Sequence, residues 1–381
     1  MTRHLLPARR LRAVLFAAAT LGVAATAAQD LQPLHLPNKP GSIKFAVIGD
    51  TGTGSRAQYE VGQQMAAFRA RFPFDFVIMV GDNIYGADTE RDMKVKFEEP
   101  YAALIAAGVR FYASIGNHDN PDQRNYEHFN MGGKRFYSLR LPEGGQTKTA
   151  ATRVRFFALD TNYLDKQQLD WMEKELAETT DEWKIFFFHH PLYSSARKHG
   201  SSREMQEALE PIFTRHGVDV VLQGHDHVYE RVKPQKGIRY FVSGSAGSLR
   251  KGDLRQTGLT EAGFDADYHF MLMEIEGDEL FFQAISREGK TIDKGSFKRR
   301  ETPGRASPLP PPEPVPAASV RPSPAPAKPP LPVPSASAYP GPTVPSPAPG
   351  VVASPKPSPS PTPSPSAKKK PKRRRTTRPR S

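Results

Sequence analysis

The chain of 381 residues contains no cysteine. Disulfides, thiolate metal sites and a lipid attached at cysteine are therefore excluded, and any bound metal must take histidine, carboxylate, amide or phenolate. Such donors select metals that accept nitrogen and oxygen. Long apolar runs are also scarce. The longest, 13–28, falls short of the roughly 20 residues that a comfortable transmembrane helix needs. Proline is sparse through the first 302 residues, because 27 of the 38 prolines lie in 303–381, a stretch whose one aromatic residue is Tyr339.

These absences divide the chain. Arg3, Arg9, Arg10 and Arg12 precede the run at 13–28, which closes on small residues at Ala25-Thr26-Ala27 or Thr26-Ala27-Ala28. This is the form of a cleaved signal peptide at 1–28, with an uncleaved anchor as the alternative; it implies export to a periplasmic, cell-surface or extracellular location. No other run is apolar enough to span a membrane, so the mature chain is expected to have no transmembrane segment. Residues 29–42 make a short lead. The Pro/Ala/Ser-rich stretch 303–367 cannot bury enough surface to fold and is expected to be a disordered, extended linker. Residues 368–381 form a Lys/Arg-rich tail.

The net charge of +13 belongs to these ends: 303–381 holds 13 Lys and Arg against one Glu, whereas 29–302 holds 36 basic against 39 acidic residues. A basic tail can bind a polyanionic envelope surface, or nucleic acid non-specifically, by counterion release. A solvated tail without a specific partner satisfies the same composition. About 260 residues, 43–300, remain as the folded unit, the size of one large α/β domain.

Within that unit short apolar runs alternate with helical periodicity, and the runs end on chemically similar residues. Residues 43–48 end at Gly49-Asp50, 76–80 at Gly81-Asp82-Asn83-Ile84-Tyr85, and 111–115 at Gly116-Asn117-His118-Asp119. Residues 154–159 end at Asp160, 185–188 at His189-His190-Pro191, and 218–223 at Gly224-His225-Asp226-His227. Helices are expected at 57–72, 166–177 and 205–215, and later strands at 239–243, 268–274 and 279–286, the last two joined as a hairpin about Glu276-Gly277-Asp278. In open α/β sheets, polar residues at carboxyl ends of strands line the site crevice. Two carboxylates, one amide and three histidines are enough for two cations sharing a bridge, with Asp82 able to offer both oxygens to a pair about 3.5 to 4 Å apart.

Asp50-Thr51-Gly52, Gly81-Asp82-Asn83-Ile84-Tyr85, Gly116-Asn117-His118-Asp119, His189-His190-Pro191 and Gly224-His225-Asp226-His227 resemble, in order and spacing, the five motif blocks of calcineurin-like metallophosphoesterases, specifically purple acid phosphatases. The resemblance implies an α/β fold, a two-sheet β-sandwich flanked by helices, in a compact form without the plant-type N-terminal domain. It implies that Asp50, Tyr85 and His227 bind Fe(III), that Asn117, His189 and His225 bind a second divalent ion (Fe, Zn or Mn), and that Asp82 bridges the two. His118 matches the family's catalytic, substrate-binding histidine near the phosphate. His199 stands where family members often place a substrate-binding histidine, although a solvated loop histidine fits its sequence context equally.

The subfamily assignment rests on Gly52, which cannot coordinate where many metallophosphoesterases carry histidine, and on Tyr85, which can replace it as phenolate. His190 is expected to point the other way from His189, as second residue of an extended pair, and to support the ligands or pack beside them rather than bind metal. Asp119 and Asp226 can either orient imidazoles or form turns, and Asp160 has no assigned role. His128, His216 and His269 are expected to be structural. The implied activity is that of an exported acid phosphatase cleaving phosphate monoesters by in-line attack of a metal-activated hydroxide. The alternatives are a phosphodiesterase or nucleotidase on the same scaffold, and an envelope-binding protein whose basic tail is the main functional element.

Overall fold

A computed structural model describes residues 33–141 and 152–300. The leader read at 1–28, the linker 303–367 and the basic tail 368–381 lie outside the described residues.

The apolar runs form two sheets. The first has six strands and the second seven. In the first, β1 (Ile43–Ile48), β2 (Phe76–Met79) and β3 (Arg110–Ala113) pair in parallel, with β3 at the edge; β11 (His269–Glu276), β12 (Glu279–Ser286) and β13 (Thr291–Lys298) extend the sheet antiparallel from β1, in the order β13-β12-β11-β1-β2-β3. The second sheet pairs β5 (Val154–Ala158), β6 (Trp183–Phe187), β7 (Val220–Gln223) and β9 (Ile238–Ser243) in parallel, with β4 (Tyr137–Leu141), β8 (Tyr229–Gln235) and β10 (Thr260–Phe264) antiparallel around them.

Strand alternation decides which residues enter which layer. Phe45 and Phe76 of the first sheet meet Phe156 of the second edge-on, with centroids 5.3 and 5.6 Å apart. The next residue, Phe157, faces the opposite side, where it packs with Phe186, Leu209 and Phe213. Each such fully buried aromatic contributes about 1.5 to 3 kcal/mol by its removal from water. The outer layers are helical. Helix α1 (Arg56–Arg69) packs Val61, Met65 and Phe68 on the first sheet, and two short helices, α2 (Glu90–Met93) and α3 (Ala102–Ala106), follow it. Helices α4 (Lys166–Glu178) and α5 (Arg203–Arg215) cover the second sheet. Ser55, Asp165 and Ser202 cap the three long helices by accepting a backbone N–H three residues on, which satisfies donors that would otherwise be orphaned. Among the described residues no helix is long and apolar enough to cross a membrane.

The expected strands and helices are present within a few residues of the expected bounds, including the hairpin in which Glu276 faces Glu279. Strands β4, β8, β10 and β13 were not expected.

Candidate metal centre

The parallel strands fix the site because β1, β2, β6 and β7 deliver their carboxyl ends to one place. The backbone records the convergence: Asp50 N–H donates to Gly81 O at 3.0 Å, Thr51 N–H to Asp82 O at 3.1 Å and Gly224 N–H to His189 O at 3.0 Å. So tight an approach requires glycine. A Cβ on Gly81, whose φ is +89°, would stand 2.7 Å from Nδ1 of His189, and one on Gly224 would stand 2.6 Å from Oδ2 of Asp50. Asp50, Asp82 and His225 themselves have φ of 52°, 50° and 69°. Left-handed backbone at a non-glycine residue costs about 1 to 3 kcal/mol and persists only where its surroundings enforce it.

The side chains gather into two groups. In the first, Oδ1 of Asp50 lies 3.2 Å from Nε2 of His227, and the Tyr85 hydroxyl lies 3.4 Å from that oxygen and 3.2 Å from that nitrogen. In the second, Nε2 of His189 lies 3.0 Å from Oδ1 of Asn117, 3.3 Å from Oδ1 of Asp82 and 3.1 Å from Nδ1 of His225. Asp82 also belongs to the first group, since Asp50, Asp82 and His227 offer ligand atoms that lie within 4.8 Å of one another. The seven residues expected as ligands thus lie together, with Asp82 common to both groups.

Asp50, Asp82 and His189 are buried, and Oδ2 of Asp82 has no hydrogen-bond partner there. Leaving a buried carboxylate oxygen unpaired costs several kcal/mol unless a cation compensates it. The donor set therefore fits a pair of metal ions with Asp82 between them.

The electrostatics have the same cause. Burial opposes ionisation of Asp82, but the His189 imidazole outweighs it and holds the carboxyl below the usual range. Burial likewise disfavours a charged His189, yet Asp82 and Asp50 push it up to about 9. His225 is pushed down to about 2 by burial and then by His189, His190 and His199. Burial, followed by Asp50 and Asp82, raises the Tyr85 hydroxyl.

Two partners that set the imidazole orientations were not found from sequence. His189 Nδ1 meets the Val80 carbonyl at 3.0 Å, and His227 Nδ1 meets the Ser248 hydroxyl at 2.9 Å. Carbonyl and hydroxyl contacts of this kind fix the tautomer of a ligating histidine. Asp119 and Asp226 hold loops instead: Asp119 accepts from Asn83 Nδ2 and from the Ile84 and Gly116 amides, and Asp226 accepts from the Gly200 amide. Asp160 pairs with Arg135 at 3.2 Å.

His118, Asn117 and His199 are exposed and mark the open side of the site. The backbone N–H of His118 donates to Oδ1 of Asp82 at 2.9 Å, and its ring lies 5.0 Å from that of Tyr85. His199 packs on His225 with centroids 4.0 Å apart. Only the direction expected for His190 is corrected. Strand β6 ends at Phe187, so strand alternation no longer governs residue 190, and the His190 ring turns toward the site, 4.5 Å from that of His225 and hydrogen-bonded to Thr161 Oγ1 at 2.9 Å. The three histidines expected to be structural find partners elsewhere: His269 is buried between Ser243 and Ser245, His216 meets Glu173, and His128 packs on Phe97.

Two mixed sheets whose parallel strands end on shared histidine, carboxylate and amide donors define a metallophosphoesterase. Residues 43–229 match the family model described as calcineurin-like phosphoesterase. The chain is similar to human tartrate-resistant acid phosphatase type 5, at 27% identity over 73% of this chain and 99% of that protein. It is similar to purple acid phosphatase 4 of Arabidopsis thaliana, at 26% identity over 68% of this chain and 85% of that one. A solved structure described as GAP50, the anchor in the inner membrane complex of Plasmodium, shares the fold with a TM-score of 0.59 at 16% identity, over 69% of this chain and 91% of that one. The chain is a purple-acid-phosphatase-like metallophosphoesterase, a phosphoesterase hydrolase.

Proposed function

We propose that the protein is an exported acid phosphatase that hydrolyses phosphate monoesters at a binuclear centre. The observation that carries this reading is the sharing of Asp82 between two donor groups, with one of its buried oxygens unpartnered. Asp50, Tyr85 and His227 would hold the first ion and Asn117, His189 and His225 the second. A phenol set beside a carboxylate gives up its proton only to a strongly polarising cation, which favours Fe(III) beside Tyr85; Fe, Zn or Mn suits the amide and two imidazoles of the other set. Such a pair, when bound, lowers the pKa of water and neutralises phosphoryl oxygens, so no activated serine or cysteine is needed.

The chain's own residues supply the rest. The backbone N–H of His118 anchors to Asp82, leaving its exposed imidazole free to carry the proton that the leaving alcohol requires. His199, held against His225, lines the approach of the anionic substrate. Val80 O and Ser248 Oγ keep the His189 and His227 rings aimed inward. Export through the leader at 1–28 and attraction of the tail at 368–381 to a polyanionic envelope surface complete the proposal and rest on the sequence.

Replacing Asp82 or His225 by Ala should abolish both metal loading and turnover of an aryl phosphate. Retained hydrolysis in both variants would sink the reading. Hydrolysis by residues 29–302 alone would decide against an inert domain carried by a functional tail.

A further inference from the structure

The turn that follows β5 is not used by the site as described, yet it is firmly held. Oδ1 of Asp160 accepts the Asn162 N–H at 3.0 Å, and the Tyr163 carbonyl accepts from Gln168 Nε2 at 3.1 Å and Arg135 Nη1 at 3.4 Å. Asn162 Nδ2 donates to Gly116 O at 3.1 Å, which ties the turn to the loop carrying Asn117 and His118. Against this fixed backbone, Tyr163 is 61% exposed, the large hydrophobic residue left open to solvent among the described residues.

A solitary exposed aromatic needs no explanation in itself. Tyr163 differs because it lines, with His190, His199 and His225, one cleft of about 580 Å³, a volume within the usual range for small-molecule sites. The cleft thus runs from a ligand of the metal centre out to the aromatic ring. Its walls also carry the hydrogen-bonding side chains of Asn162, Ser201 and Glu204 beside the apolar ones of Leu164 and Met205.

Resting on the phosphatase reading above, we propose that this cleft receives the leaving alcohol and that Tyr163 is a stacking platform for the base of a nucleoside monophosphate. An aliphatic alcohol would not use the ring. A plain aryl group would stack but would leave the amide, hydroxyl and carboxylate unmatched, whereas a nucleobase presents donors and acceptors on its edge and a ribose presents hydroxyls. Because the turn is already fixed, stacking incurs no loop-ordering cost. Tyr163 acts on binding, so its signature is KM rather than kcat.

The test compares adenosine 5′-monophosphate, ribose 5-phosphate and phenyl phosphate as substrates of the metal-loaded full chain and its Tyr163→Ala and Tyr163→Phe variants. Base–aromatic stacking of the usual strength predicts that Tyr163→Ala raises KM for the nucleotide about tenfold. It should change KM for ribose 5-phosphate by less than about twofold, with kcat little altered, and Tyr163→Phe should restore the nucleotide KM. Equal effects on nucleotide and ribose 5-phosphate would overturn the subsite, and a loss for phenyl phosphate as large as for the nucleotide would overturn the assignment to a nucleobase. Calorimetric titration with the same nucleotide gives a readout independent of turnover. Tighter binding of the nucleotide than of ribose 5-phosphate, lost in Tyr163→Ala, supports the subsite even if no ester is hydrolysed, an outcome that would sink only the phosphatase reading; no preference in the native chain overturns the subsite.

Discussion

Oδ2 of Asp50 accepts the backbone N–H of His225 at 2.9 Å, across 175 residues of sequence. The first strand-end loop of the site thus positions the last. Asp50 serves the Tyr85 and His227 group through its other oxygen, so the two donor groups cannot shift independently.

The closeness of these loops makes Gly81 sensitive. Its φ of +89° and the His189 ring 2.7 Å from an added Cβ predict that Gly81→Ala costs about 2 kcal/mol or more in stability. Urea unfolding of both proteins measures the difference. A change under about 0.5 kcal/mol would show that the loop has room the structure does not assign it.

Tyr85 should confer colour. The iron-loaded protein is expected to show a tyrosinate-to-ferric charge-transfer band in the visible range, and Tyr85→Phe to lose the band while folding normally by circular dichroism. A colourless native iron-loaded enzyme would remove Tyr85 from the ligand set.

His118 should matter according to the leaving group. If it protonates the departing oxygen, His118→Asn should lower kcat for alkyl phosphates about 100-fold and affect nitrophenyl phosphate, whose leaving group needs no proton, far less. Uniform loss across both esters would confine His118 to electrostatic support.

Away from the site, His269 should make the fold acid-sensitive. Its imidazole is buried between two serine hydroxyls, and burial pushes it down to about 3 from the ordinary 6.5. A depressed histidine contributes stability that is present above pH 6.5 and is lost as pH falls toward 3. By pH 5 the loss is about 2 kcal/mol. The stability advantage of the native chain over His269→Asn should shrink by that amount between pH 7 and pH 5 in urea titrations; a constant difference would mean that the imidazole is not held neutral.

The strand ends of the site were legible because each candidate ligand lies in the loop that follows an apolar run, and chain order places Asp50, Asp82, His189 and His225 just beyond the carboxyl ends of strands that prove parallel. Strands β4, β10 and β13 were not legible, and all three lie at sheet edges. Thr260–Phe264 has no buried position, and Thr291–Lys298 buries only Phe297. A strand paired on one side and largely solvated shows little hydrophobic alternation. Strand β8 carries Pro234, which argues against a strand on sequence grounds. Ser248 escaped notice because its contact with His227 depends on a loop returning across the site, and His190 was misread because β6 stops before it.

Whether Asp82 joins two ions is decided by an anomalous-difference map from crystals of the metal-loaded protein. Two peaks about 3.5 to 4 Å apart are expected on either side of Asp82, one against Asp50, Tyr85 and His227 and the other against Asn117, His189 and His225. A single peak bound by both His225 and His227 would contradict that arrangement.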